Sequence, residues 1–311
     1  MRIIHALIIL LLLSSISPAQ VTSRIAFTKL NPLTSDFDIF VAELNENLKV
    51  VRTYNVSNVI GADSHPSWSP DGSKIAYISQ RHGKWMSIYI TDYLGRNTRR
   101  FSSEILGRSW GFPGWSPDGK KIAFAYEPKD NDRERGIYLI DIDGRNLRKL
   151  VGIPFGSLGS CKWSPDGKKI LVHSVELYVI DVETGQYKMI CDGADGADWS
   201  EKGILYSRSR FRSIFIADEN GNILKRYELP DFKFIDEPSY SPDLGKVLFV
   251  GRKGNTWGLH ILDLKTGKVK SLGFYAQFPD WGPAFLPRQS LDQLNLLYTM
   301  WSLIKTGGIK K

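Results

Sequence analysis

The chain has 311 residues, 41 Lys and Arg against 33 Asp and Glu, and a formal net charge of +8. With 42% hydrophobic and 24% charged residues it has the composition of an ordinary folded protein, and with two cysteines it cannot be a disulfide-framed scaffold. Length alone allows one large domain or two small ones.

The first nineteen residues are predicted to be a signal peptide. Arg2 supplies a short positive segment, Ile3 to Leu13 an apolar run, and Ser17-Pro18-Ala19 the small residues that signal peptidase requires. The apolar run is shorter than the roughly 20 residues of a spanning helix, and no cysteine follows it, so neither a membrane anchor nor a lipid anchor is expected. Cleavage near Ala19-Gln20 would deliver a periplasmic or secreted protein. Nucleic acid is then not an expected partner, and the basic surplus points to an acidic polymer, an acidic protein or an anionic membrane, unless it only solvates strand faces.

Two apolar segments come next, Ile25-Ala26-Phe27 and Asp38-Ile39-Phe40-Val41, with no turn motif before them. From there the chain repeats itself. His65-Pro66-Ser67-Trp68-Ser69-Pro70-Asp71-Gly72 returns as Phe112-Pro113-Gly114-Trp115-Ser116-Pro117-Asp118-Gly119 and as Ser160-Cys161-Lys162-Trp163-Ser164-Pro165-Asp166-Gly167. A decayed copy follows at Trp199-Ser200-Glu201-Lys202-Gly203. Then come Glu237-Pro238-Ser239-Tyr240-Ser241-Pro242-Asp243, read as carrying Leu244 inserted before Gly245, and Phe278-Pro279-Asp280-Trp281. The aromatics are spaced by 47, 48, 36, 41 and 41 residues, the length of a four-stranded propeller blade.

Each repeat has a local cause. Ser-Pro-Asp-Gly makes a tight turn, because Pro presets φ, Asp bonds to nearby backbone and Gly accepts positive φ. The apolar triplets beginning at Ile75, Ile122, Ile170, Ile204 and Val247 are predicted second strands, and the runs ending in Asp92, Asp141, Asp181, Asp218 and Asp263 third strands. The opening segments lack a first strand and Trp281 lacks a second and third, so the two fragments are expected to complete one blade. The prediction is an all-β, six-bladed propeller of four-stranded antiparallel blades over residues 20–287, closed by pairing the first strands with the last repeat.

The P-x-W-S-P-D-G-x-x-I-A-F pattern resembles the TolB-like β-propeller repeat, which also occurs in propeller domains of prolyl-oligopeptidase-type proteases. The resemblance covers residues 24 to 283. TolB proper adds an N-terminal α/β domain and works with a peptidoglycan-associated lipoprotein in envelope integrity. Here residues 20 to 23 alone precede the first strand, so that domain is not expected. The resemblance implies a non-enzymatic interaction or ligand-binding module of the cell envelope, with a sugar-acid lyase or lactonase at the channel mouth as the alternative.

After the repeats, residues 288–311 are predicted to form an amphipathic helix and basic tail. Ser290-Leu291-Asp292-Gln293 is a capping-box signature, with Leu291, Leu294, Leu297, Tyr298, Trp301 and Ile304 at helical spacing until Gly307-Gly308.

Catalytic and metal signals are weak. Phe155-Gly156-Ser157-Leu158-Gly159 departs from G-x-S-x-G in its first position. His65, His82, His173 and His260 are scattered one per unit. Asp192, Asp195 and Asp198 could hold calcium, but Asp and Gly are also ordinary turn residues. Asp141-Ile142-Asp143-Gly144 lacks the downstream Glu of a calcium loop. Neither cofactor nor metal is expected, Cys161 and Cys191 are predicted to be free thiols, and the protein is expected to be monomeric.

The expected working face is the one where first strands begin. Its loops carry Arg81, Arg208, Arg210, Arg212 and Arg252 with Trp85, Trp110, Phe112 and Trp257, and in sequence no acid adjoins the Arg208 to Arg212 series. Guanidinium groups beside aromatic faces suit carboxylates and sugar rings, so an envelope protein or acidic polymer is the expected partner.

Overall fold

The Ser-Pro-Asp-Gly turns close as the sequence requires. In the first, Ser69 Oγ donates to Asp71 Oδ1 at 2.6 Å, the Ser73 amide donates to the same oxygen at 3.0 Å and the Lys74 amide donates back to Ser69 Oγ at 2.9 Å. Gly72 takes φ +67°, a left-handed angle that costs Gly little. The circuit recurs at Ser116–Asp118, Ser164–Asp166 and Ser241–Asp243. The last of these shows that Leu244 is not an insertion. The circuit from Ser241 to Lys246 has the same span as that from Ser69 to Lys74, and Leu244 occupies the left-handed position of Gly72, at φ +53°.

The computed structural model describes residues 21–82, 86–101, 107–109, 112–128, 132–152 and 160–283. The predicted signal peptide and C-terminal helix, as well as Trp85, Trp110 and the Phe155–Gly159 segment, lie outside them. Six antiparallel sheets form a six-bladed propeller. Blade 1 is Val21–Leu30, Phe37–Asn45 and Val50–Asn55, with Gln277–Trp281 as its innermost strand. Blades 2, 4, 5 and 6 begin at Asp63–Trp68, Cys161–Trp163, Gly196–Ser200 and Phe232–Tyr240, each followed by three more strands in sequence order. Blade 3 departs from this plan, its first strand being split into Gly107–Ser109 and Gly114–Trp115, both paired to Lys121–Pro128. Closure is by the expected pairing, with Ile25 opposite Trp281 and Ala26 opposite Asp280.

The hydrophobic residues gather into six clusters, one at each blade interface. Polar links near the axis reinforce every interface. The Trp115 and Trp163 indoles donate to the Ser67 and Gly114 carbonyls of the preceding blades at 3.2 and 3.0 Å. The Trp68, Tyr240 and Trp281 amides donate to Asp280, Asp198 and Ser239 side chains of their preceding blades at 2.8, 2.9 and 3.1 Å. Lys162 and Asp198 join blades 4 and 5 at 3.6 Å. Cys161 and Cys191 stand on the first and fourth strands of blade 4, both free. Among the described residues no helix is long and apolar enough to cross a membrane.

Candidate functional site at the channel mouth

Each first strand enters the ring from one face and runs down the central channel. Two positions recur at the channel across the repeats, the third residue before the motif aromatic and the one just before it, and in blades 1, 2 and 6 a bulge in the pairing register lies between them. Reading the repeats in register, the upper set is His65, Phe112, Ser160, Gly196, Glu237 and Phe278. The lower set is Ser67, Gly114, Lys162, Asp198, Ser239 and Asp280. Members of both sets line a cavity of about 250 Å³, together with His173, Asp195 and Asp236.

Local backbone strain marks the upper set. His65, Glu237 and Phe278 hold φ of +61°, +50° and +50° although none is glycine, and each precedes a proline, which already disfavours the right-handed helical region for its neighbour. Left-handed backbone at a non-glycine residue costs on the order of 1–3 kcal/mol and concentrates at functional sites. Three of these side chains meet. The His65 ring lies 3.6 Å from Phe112 and 3.7 Å from Phe278, and those two rings are 5.2 Å apart, centroid to centroid. Burial pushes the His65 pKa well below its ordinary value, so the imidazole is neutral.

Carboxylates occupy the other side. Burial, with the neighbouring Asp236 charge adding to it, raises Glu237 well above the usual carboxylate range although Glu237 accepts the Phe278 amide. Asp236 is pushed up to about 7, again by burial first, although it accepts the Glu237 amide at 2.7 Å. His173 offers them no counter-charge: burial lowers its pKa, and Nε2 is 3.0 Å from the Ala194 carbonyl. Deeper in the channel Lys162 is 2.8 Å from Asp280 and 3.6 Å from Asp198. Burial opposes its charge, but the two carboxylates outweigh that and raise its pKa. This triad, one cation between two carboxylates, joins blades 4, 5 and 1. The mouth above it combines an aromatic cluster with acids, and among the described residues lining the cavity the one cation, Lys162, is already held by Asp280 and Asp198.

The residues expected to form the working face are dispersed. Arg81 is half-buried, donating to the fully buried Asp63 at 3.1 Å and to Tyr77 Oη at 2.6 Å. Arg208 pairs with Asp192 at 2.8 Å, so an acid does adjoin that arginine series, reached across strands and not along the sequence. Arg210 is exposed over Phe211, and Arg212 is exposed and donates to the Pro230 carbonyl at 3.3 Å. Phe112 is in the channel mouth, whereas Arg252 and Trp257 stand together on blade 6. The three aspartates weighed for calcium are divided: Asp192 holds Arg208, Asp195 accepts the Ser209 amide, and Asp198 faces Lys162. Among the described residues no group of three potential ligands is placed to hold a metal. Glu237, Asp236, Phe278 and Lys162 were not singled out as site residues, although stacking the repeats puts three of these four at the two positions that recur at the channel.

The described residues thus form a closed six-bladed propeller whose axial mouth is lined by polar and aromatic side chains. The chain belongs to the TolB beta propeller domain family, whose model matches residues 66–285. Among solved structures, TolB from Acinetobacter baumannii is similar at 24% identity and a TM-score of 0.66, over 84% of this chain and 67% of that one. A putative TolB from Agrobacterium tumefaciens is similar at 19% identity and TM-score 0.61, over 86% of this chain and 99% of that one. A chain of a Nidogen/Laminin complex shares the fold at 10% identity and TM-score 0.65, over 84% and 98% of the two chains. No curated protein matches.

Proposed function

We propose that the chain is an exported, non-enzymatic interaction propeller of the periplasm, associated with the cell envelope, which binds its partner on the face where the first strands begin. The observation that carries this reading is the channel mouth, where two strained pre-proline residues, His65 and Phe278, meet Phe112 in an aromatic cluster beside the carboxylates of Asp236 and the strained Glu237. Strain and buried acid both oppose folding, and both are economically explained by contacts that a partner supplies. The exposed Arg210 and Arg212 suit an acidic surface on that partner, an envelope protein in this reading, and the central acids suit a single cationic group projecting from it. One relative in fold is known from a Nidogen/Laminin complex, which agrees with protein binding as a use of this ring.

The test is site-directed photo-crosslinking in the exporting cell. A photoreactive residue at Phe112 should give a discrete adduct, and the same group at the exposed Lys168, in a turn of the opposite face, should not. Equal labelling from both positions, or none from Phe112, would refute the assignment of the face. A second reading, a sugar-acid lyase or lactonase, is favoured by one observation: Asp236 at about 7 beside a protonated Glu237 has the property of a general acid. Turnover of a lactone by the wild type and none by Glu237→Gln would establish it.

A further inference from the structure

Blade 6 and the entry to the closing strand carry an aromatic shelf that the channel mouth does not use. We propose that Phe234, Trp257 and Tyr275, with Arg252, form a binding site for a sugar ring that carries a carboxylate. The inference rests on the assignment of the working face given above and adds a ligand class and a place.

Register builds the shelf. Arg252 is directly opposite Phe234 on one side and directly opposite Trp257 on the other, so three adjacent strands put these side chains in one row on one face of the sheet. Tyr275 reaches the row from the segment leading into Gln277–Trp281. The Phe234 and Trp257 rings are 5.6 Å apart with planes 22° from parallel, and Tyr275 is 6.0 Å beyond Trp257. All three are open to solvent, at 45, 38 and 41% exposure. Gln277 fixes the far end by donating to Tyr275 Oη at 2.6 Å.

The charge at the centre of this row has no matching acid. Arg252 places its guanidinium carbon 5.9 Å from each of the Phe234 and Trp257 centroids, and its buried Nε has no hydrogen-bond partner. Among the described residues no carboxylate forms an ion pair with it, in contrast to Arg81, Arg208 and the adjacent Lys253, which hold Asp63, Asp192 and Asp231. A row of aromatic faces accepts the apolar C–H face of a pyranose, and a guanidinium beside those rings can donate two parallel hydrogen bonds to a carboxylate. A uronic acid presents both features in one ring. An acidic peptide offers the charge without the flat apolar face, and a neutral sugar offers the face without the charge.

The test titrates the full chain with oligogalacturonate, a size-matched neutral galacto-oligosaccharide and poly-L-glutamate. The acidic sugar should bind most tightly. Trp257→Ala should weaken it by about tenfold or more, the order expected for one stacked ring. Arg252→Gln should abolish the preference for acidic over neutral sugar while leaving the neutral binding. Trp257 is exposed and Arg252 is half-buried without an ion pair among the described residues, so melting curves should change little. Absence of oligogalacturonate binding, indifference to both substitutions, or equal binding of poly-L-glutamate would overturn the proposal. A failure here with Phe112 crosslinking intact would remove the sugar site alone and leave the partner-binding face standing.

Discussion

At the residue scale, the least forgiving position is Gly114. A Cβ there would come within 2.1 Å of the Cys161 carbonyl oxygen, and that atom is backbone, so the two blades must separate for any side chain to fit. Gly114→Ala should therefore cost more than about 2 kcal/mol, well above the centre of the distribution for surface changes; urea denaturation of the purified chain measures it. The sequence presents Gly114 as one residue of a repeat, and nothing local distinguishes it from Ser67 or Lys162 at the same place. Its necessity comes from another blade. Asp236 and Glu237 were equally silent, because burial at the axis is the largest cause of their displaced proton affinity, with nearby carboxylates adding to it. The direction of the effect is definite. An acid whose folded pKa lies above its unfolded value binds protons better when folded, so its contribution to stability declines as pH rises from the usual carboxylate range through about 7 for Asp236. Asp236→Asn should flatten that decline between about pH 5 and about pH 8 and raise the melting temperature at the upper end, by about 2–4 °C per kcal/mol relieved. A melting profile as steep as that of the wild type would contradict the assignment.

Elements were more legible than contacts between them. The Ser-Pro-Asp-Gly turns, the second-strand triplets and the Asp-terminated third strands are specified by residues within a few positions of one another, and they form where the pattern puts them. The links between blades were not legible, since the same aromatic position uses different atoms at different interfaces. Trp163 donates its indole to the Gly114 carbonyl, whereas the buried Trp281 indole nitrogen has no partner and its backbone amide makes the link instead. This gives a paired expectation. Trp163→Phe should lose about 1 kcal/mol beyond its packing change, the net value of one hydrogen bond, and Trp281→Phe should lose none of that. Equal hydrogen-bond penalties for the two would show that the indole nitrogens are not differentiated.

For the whole molecule, blade number and ring closure follow from arithmetic on the repeats, with one blade short of its first strand and one motif short of its followers. Charge on the working face did not follow so simply. Arg81 and Arg208 were counted as free cations because Asp63 and Asp192 are distant in sequence; folding brings each acid onto its arginine. The closing strand also has work beyond its own sheet: Asp280 accepts the Trp68 amide, 212 residues away, and holds Lys162 across the channel. Ending the chain after Ala276 should accordingly damage blades 1, 2 and 4 together. Size-exclusion chromatography and thermal melting should show association and loss of a cooperative transition, because the edge of Val21–Leu30 is left unpaired. A monomer with the parental melting curve would mean that closure is dispensable.

The composite blade also sets an order in time. Val21–Leu30 leaves the ribosome among the first segments of the ring, but its inner neighbour, Gln277–Trp281, is made after all the other blades. Every nascent chain shorter than that carries an open edge and an unfinished interface on either side of it. The final fold is thus withheld until Gln277–Trp281 has been made, and long-range pairing of this kind is slow to form. If the chain crosses a membrane unfolded, as the proposed export requires, that delay keeps the polypeptide threadable until the closing strand has been made.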